Sequence, residues 1–170
     1  MTMRKLMMLA VAIGVVLIQG CEGPMGPQGP QGQDGGLIAS SAFELGNVNF
    51  NVGNNYQIRE NFGFEIFPYD VVLVYILWEA DNGKDVWRLL PQSAFFENGI
   101  LQYNFDYTDE EVRLFLDGEI DFATLDNSWL DDQVFRIVVV PADNVGRLDY
   151  TDYEGVTRML GIGEEDFQKR

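Results

Sequence analysis

The chain has 170 residues, of which 27 are acidic, 11 are basic and none is histidine, so its formal net charge is −16. This excess of acid excludes nucleic acid as a partner, because phosphate binding draws its affinity from Lys and Arg. Cys21 is the single cysteine. The chain therefore lacks the residues for Ser-His-Asp or Cys-His catalysis and for the usual zinc, copper and haem sites.

The first 20 residues have the pattern of a secretory signal peptide. Arg4 and Lys5 precede 13 apolar or small residues at positions 6–18. The apolar core of a signal peptide has about 7–15 residues, whereas a transmembrane helix needs about 20. The pattern therefore predicts that residues 1–20 are cleaved, which leaves 9 basic residues against 27 acidic ones in the mature chain.

The end of this segment, Ile18-Gln19-Gly20-Cys21, resembles a bacterial lipobox. The resemblance implies that Cys21 receives diacylglycerol, is exposed by cleavage and is then acylated on its new amine. Several acyl chains give stable membrane anchoring, whereas a single chain holds only marginally. The alternative is an ordinary secretory signal followed by a cysteine that has no intrachain partner in an oxidising compartment.

A collagen-like repeat follows the cysteine. Residues 23–34 form four Gly-X-Y triplets, and a triple helix needs glycine at every third position because only hydrogen fits at its axis. In polyproline II form the tract spans roughly 37 Å, at about 3.1 Å per residue. We therefore predict that residues 21–36 form a lipidated, semi-rigid stalk. Association into a homotrimer is the alternative, which the shortness of the repeat disfavours.

Residues 37–170 have the patterns of a single acidic β-domain. Val48, Phe50 and Val52 alternate with asparagines, which predicts a half-buried strand. The apolar run at 71–78 is typical of a central strand with both faces covered. Asp81-Asn82-Gly83 predicts a hairpin turn. The remaining predicted strands lie at 85–90, 100–107, 112–116 and 134–140. These strands predict a mainly all-β fold, an antiparallel β-sandwich of immunoglobulin-like architecture.

The last part of the chain predicts one short helix and a tail. Thr151 and Glu154 have capping-box spacing, and Tyr153, Val156 and Leu160 would share one helical face that packs on the sandwich. The helix should end at Gly161. Residues 164–170 are rich in charge and predict a frayed tail.

A loop before the last long strand holds the candidate binding residues. Trp129 lies there among acidic and amide side chains, so it is a candidate for contact with a glycan or protein, with packing in the core as the alternative. Oxygen ligands suit calcium, although the spacing in this loop is not that of an EF-hand, and solvated acids are the default interpretation. The candidate binding residues are Trp129, Asp126, Asn127, Asp131 and Asp132. No catalytic or other metal site is predicted.

The order of leader, Cys21, Gly-Pro-Gln repeats and β-domain, with the segments at 86–91 (VWRLLP) and 134–141 (VFRIVVVP), resembles the short collagen-like lipoproteins of Bacteroidota envelopes. The resemblance implies an outer-membrane lipoprotein, held by its N-terminal lipid on the periplasmic or the surface leaflet. We expect a non-enzymatic protein that presents an acidic β-sandwich to an envelope protein or glycan. A carboxylate-dependent glycan hydrolase and a trimeric structural surface protein are the alternatives.

Overall fold

The computed structural model describes residues 41–142 and 149–170, together with the single residue Met3. The chain divides into two compact units, residues 1–36 and 37–170. Apart from Met3, the predicted signal peptide, Cys21 and the collagen-like stalk lie outside the described residues. Residues 41–142 and 149–170 belong to the second unit.

Nine strands and one α-helix make up the described part of this unit. The strands are β1 (Ala42–Val48), β2 (Gln57–Asn61), β3 (Val71–Asp81), β4 (Lys84–Leu89), β5 (Gln92–Phe96), β6 (Gly99–Tyr107), β7 (Glu111–Gly118), β8 (Gln133–Val140) and β9 (Gln168–Lys169). The helix is α1 (Tyr153–Leu160). Short 3-10 helices cover Val52–Asn54, Phe122–Thr124, Asn127–Trp129 and Glu164–Asp166.

The strands form two sheets that pack face to face, which confirms the predicted β-sandwich. The five-stranded sheet has the order β4-β3-β8-β1-β9, and the four-stranded sheet has the order β2-β7-β6-β5. All the pairings are antiparallel except that of β1 with β9.

The main core lies between the two sheets. Alternate side chains of β3 and β8 point into it, as do Leu101 and Tyr103 of β6 and Val112 and Leu114 of β7. This alternation is the one expected of strands that bury one face against a second sheet. The predicted strands at 71–78, 100–107, 112–116 and 134–140 are therefore confirmed. Their observed ends differ from the predicted ends by at most about three residues.

A second core covers the opposite face of the five-stranded sheet. Leu73 and Tyr75 of β3 pack there with Val138 of β8 and with Val156 and Leu160 of α1. The central strands β3 and β8 are consequently covered on both faces, which explains their near-continuous apolar sequence. The prediction that the helix packs on the sandwich is confirmed.

The hairpin between β3 and β4 has the turn that its sequence predicts. Asp81 pairs with Lys84, which leaves Asn82 and Gly83 as a two-residue loop with φ angles of 51° and 78°. Positive φ at both positions is the requirement of a type I′ turn, and Asn-Gly is the pair of residues that meets it most readily.

Three local predictions are wrong. The strand predicted across 48–52 ends at Val48, and Val52 is 70% exposed. The asparagines explain this difference, because the side-chain oxygens of Asn51 and Asn54 each accept from the other's backbone N–H and close a 3-10 turn. The helix is capped by Asp152, which accepts a hydrogen bond from Gly155 N, rather than by Thr151.

The third correction concerns the C-terminal segment (residues 161–170), which is docked rather than frayed. Phe167 is buried in the second core, and β9 pairs with β1. The guanidinium of Arg170 donates to the carbonyl oxygens of Asn61 and Phe62, at 2.7 and 2.8 Å. It also lies 4.0 Å from the ring centre of Phe43. These contacts hold the last residues against both sheets.

Candidate functional site

The structure places Trp129 in a packing role. It ends the 3-10 helix Asn127–Trp129 and is half-buried. Its ring makes edge contacts with Trp78 and Phe96, with centroid separations of 6.0 and 5.2 Å. Its backbone oxygen accepts a 2.7 Å hydrogen bond from the hydroxyl of Tyr103. The indole therefore closes one end of the main core. A small pocket of about 250 Å³ lies beside it.

The acidic and amide residues around Trp129 serve the local backbone. Asp126 caps the 3-10 helix by accepting from Ser128 N at 2.9 Å, and hydrogen bonds from Ser128 lower the pKa of its carboxyl group. The carbonyl of Asn127 accepts from the N–H groups of Leu130 and Asp131. Asp132 adopts a φ of 54° and donates its backbone N–H to the side chain of Asn49.

Calcium binding at this loop is the less favoured alternative to solvated acids. Within residues 41–142 and 149–170, no group of three or more acidic side chains is close enough to hold a metal ion. Calcium takes six to eight oxygen ligands, which carboxylates, carbonyls and water can share.

A second cluster, which the sequence analysis missed, surrounds Arg136 on the outer face of the five-stranded sheet. Arg136 lies directly opposite Glu44 of β1, and its Nε donates to Glu44 Oε2 at 2.9 Å. Its two terminal nitrogens donate to the two oxygens of Glu164, at 2.7 and 2.5 Å. Nη1 also donates to the hydroxyl of Tyr153. The guanidinium is thus hydrogen-bonded at all three nitrogens.

Aromatic rings complete this cluster. The guanidinium carbon lies 4.2 Å from the ring centre of Trp87 and 4.3 Å from that of Phe167. Both distances are within the range in which a ring attracts a cation. We call Arg136, Glu44, Glu164, Tyr153, Trp87 and Phe167 the Arg136 cluster. It joins β8, β1, β4, α1 and the C-terminal segment.

Electrostatics explains how a charge can be buried here. The side chain of Arg136 is 6% exposed and that of Glu44 is 11% exposed. Burial alone would lower the pKa of Arg136, but its hydrogen bonds to Glu164, Tyr153 and Glu44 outweigh that effect and raise the pKa. The same bonds from Arg136 lower the pKa of Glu164. The guanidinium therefore stays charged, and Glu164 is ionised more readily than a free glutamate.

An open groove of about 580 Å³ lies next to the Arg136 cluster, between β4, α1 and the C-terminal segment. Its volume is within the range of about 300–1,000 Å³ that small-molecule sites occupy. Its aromatic lining comes from Trp87, Tyr153 and Phe167, with Thr151 and Thr157 as neutral polar groups. Its charged lining consists of Asp85, Asp152, Glu154, Glu164 and Lys84. We call this cavity the acidic groove.

The charges on the outer face of the four-stranded sheet are arranged differently. Arg113 lies opposite Asp106 and is ion-paired with it, and Arg59 pairs with Glu111. The hydrogen bond from Arg113 lowers the pKa of Asp106. Asp106 and Glu111 on this face are thus each paired with an arginine, whereas the acidic groove is lined by four acids and one lysine.

One signal in the sequence could have indicated the Arg136 cluster. Arg136 is the only charged residue in the run 134–140, which was predicted to be a strand. A charge within a buried strand needs a partner, because an unpaired buried charge is very costly. The sequence does not show which acids supply it, since Glu44 and Glu164 are 92 and 28 residues away.

No known family model matches the chain, and neither a curated protein nor a solved structure matches it. In the part of the chain that the structure describes, no helix is long and apolar enough to cross a membrane.

Proposed function

We propose that this protein is a lipoprotein of a bacterial envelope, anchored in the outer membrane through Cys21, whose acidic β-sandwich binds a protein or glycan partner without catalysing a reaction. The observation that carries the proposal is the position of Cys21. It follows a basic and then apolar leader, directly after a small residue, and precedes a Gly-Pro-rich stalk. That order matches the resemblance to collagen-like envelope lipoproteins.

The binding role is supported by the acidic groove. Recognition sites combine an apolar lining with a few convergent polar groups, and this groove combines three rings with several carboxylates and hydroxyls. The absence of histidine and of a second cysteine from the sequence favours binding over the commonest kinds of catalysis. A stalk of roughly 37 Å would hold such a domain away from anionic head groups.

Metabolic labelling with an alkyne analogue of palmitate tests the anchor. We expect the full chain to be labelled and to fractionate with the outer membrane, and we expect Cys21→Ser to lose both properties. A double variant, Cys21→Ser with Ser128→Cys, restores one thiol at an exposed position that follows Asp126-Asn127 rather than a small residue and so has no lipobox. This control should stay unlabelled. Labelling of Cys21→Ser at the level of the parent chain would remove the basis of the proposal.

The binding partner and the membrane leaflet can both be identified by experiments on native membranes. Crosslinking of the intact protein followed by affinity purification should recover an envelope protein or a glycan that is absent when Cys21→Ser is used. Protease treatment of intact cells then separates the two leaflets, because only a chain on the surface leaflet is digested. Recovery of the same partner with Cys21→Ser would show that anchoring is not needed for binding.

A further inference from the structure

The charge of the acidic groove indicates what kind of group it can hold. We propose that it receives a lysine or arginine side chain from a basic segment of a protein partner. This inference rests on the proposed function, because it names the partner class of the anchored binding domain. The residues that line the groove lie between positions 84 and 167 and do not include Cys21, so the inference can fail while the anchor stands.

Two of the lining carboxylates are available to an incoming cation. Asp85 is exposed at the start of β4, and in the described ranges its side chain makes no ion pair. Glu154 is exposed in the first turn of α1, and its contact with Arg158 is a long one of 3.8 Å. The other two acids are engaged, because Asp152 caps α1 and Glu164 holds Arg136.

The aromatic lining suits the alkyl stem of a lysine or arginine better than a second cation. Trp87 and Phe167 already have the Arg136 guanidinium close to their rings. A new cation over the same rings would be repelled by that guanidinium at short range. Long basic side chains bury their methylene stems along apolar surface and keep the charge on polar groups. We therefore expect the stem to lie on the rings and the charge to meet Asp85 and Glu154.

Charge complementarity favours this occupant over a glycan. Arg136 neutralises Glu164, which leaves three lining carboxylates against one lysine, and the whole chain carries a net charge of −16. Such a field attracts basic segments and accelerates their association. A neutral sugar is not attracted by the net charge and would gain only hydrogen bonds from its hydroxyls to individual carboxylates.

Fluorescence anisotropy with the full mature chain in detergent tests the inference. The probes are fluorescein-labelled peptides of four Gly-Ser-Lys repeats and four Gly-Ser-Gln repeats, with maltoheptaose as a neutral competitor. The groove variant is Asp85→Asn with Glu154→Gln. The matched control is Asp109→Asn with Glu110→Gln, which removes two charges from an exposed turn outside the groove.

We expect the lysine peptide to bind more tightly than the glutamine peptide, and the groove variant to weaken it about fivefold, as the loss of two exposed ion pairs would. The control should keep the parent affinity. Equal weakening by both variants, equal binding of both peptides, or displacement by maltoheptaose would each overturn the inference. Palmitate labelling of the same samples shows whether the anchor is intact in each case.

A variant that should strengthen binding distinguishes a role of the groove charges from a loss of the fold, because a misfolded chain would bind more weakly. Lys84 is the only basic residue among those that line the groove, and it is exposed at the start of β4. Lys84→Gln should therefore strengthen binding of the lysine peptide. Unchanged or weaker binding by Lys84→Gln, with an unchanged unfolding midpoint, would contradict a site built on these charges.

Discussion

Arg136 on β8 and Glu164, 28 residues further along the chain, are joined by two parallel hydrogen bonds of 2.7 and 2.5 Å. This two-point contact attaches the C-terminal segment to the outer face of the five-stranded sheet. Because Arg136 also bonds to Glu44 and Tyr153, one side chain connects two strands, the helix and the segment that follows it. The acidic groove lies beside that connection.

Replacement of Arg136 should be strongly destabilising. Arg136→Met leaves the buried carboxylate of Glu44 without its closest cation, and breaking a buried ion pair from one side costs about 3–5 kcal/mol. Urea unfolding of the full mature chain measures this loss. Arg113→Met is the matched control, because its ion pair with Asp106 is exposed to solvent and should contribute little to stability. Similar losses in the two variants would contradict the role given to Arg136.

Phe167 tests whether the C-terminal segment is docked. The residue is 5% exposed and contacts the Arg136 guanidinium and Tyr153. Phe167→Ala should lower the free energy of unfolding by about 3–5 kcal/mol, the usual loss when a buried phenyl ring is removed. Phe95→Ala removes a ring that is 79% exposed and should have little effect. If Phe167→Ala left the free energy of unfolding unchanged, the C-terminal segment would be frayed, as the sequence predicted.

Stability should fall on acidification partly through Glu164. Hydrogen bonds from Arg136 lower the pKa of Glu164 below its ordinary value of 4.5. In the window below that value the folded chain binds fewer protons than the unfolded chain, so stability is full above pH 4.5 and is lost as pH falls through the folded pKa. The urea midpoint of the parent chain should therefore drop more between pH 7 and about 3 than that of Glu164→Gln. The other acids are the same in both chains, so equal drops of the urea midpoint would contradict a contribution from Glu164.

The hydroxyl of Tyr103 should hold the loop of Trp129. It is buried and donates to the backbone oxygen of Trp129 at 2.7 Å. Tyr103→Phe should cost about 1–2 kcal/mol, since a half-buried carbonyl loses its partner, and it should change the tryptophan emission spectrum. Tyr69→Phe, at a position that is 81% exposed, is the control. An unchanged spectrum and stability for Tyr103→Phe would show that the bond does not position Trp129.

The sequence predicted the parts of the fold that local chemistry determines. Asn82-Gly83 supplies the two left-handed residues of the β3–β4 turn, and Gly161 with a φ of 67° ends α1. The apolar run of β3 indicated a strand covered on both faces. In each case the deciding information lies within a few neighbouring residues.

The wrong predictions share one physical reason. In each case the local structure is determined by contacts with distant residues or by side-chain hydrogen bonds. Glu164 and Phe167 lie in a segment that is rich in charged residues, but Arg136 and the second core hold them in place. The alternation at 48–52 indicated a strand, yet the bonds between Asn51 and Asn54 closed a turn there. The acidic groove is equally non-local, because β4, α1 and the C-terminal segment each contribute to it.

Mass spectrometry of the N-terminus of the protein purified from native membranes tests the lipid anchor most directly. We predict that the mature chain begins at Cys21, and that this residue carries a thioether-linked diacylglycerol and an acyl group on its amine. A chain that retains residues 1–20, or one that begins after them with an unmodified thiol at Cys21, would contradict the claim that this protein is a lipid-anchored envelope lipoprotein.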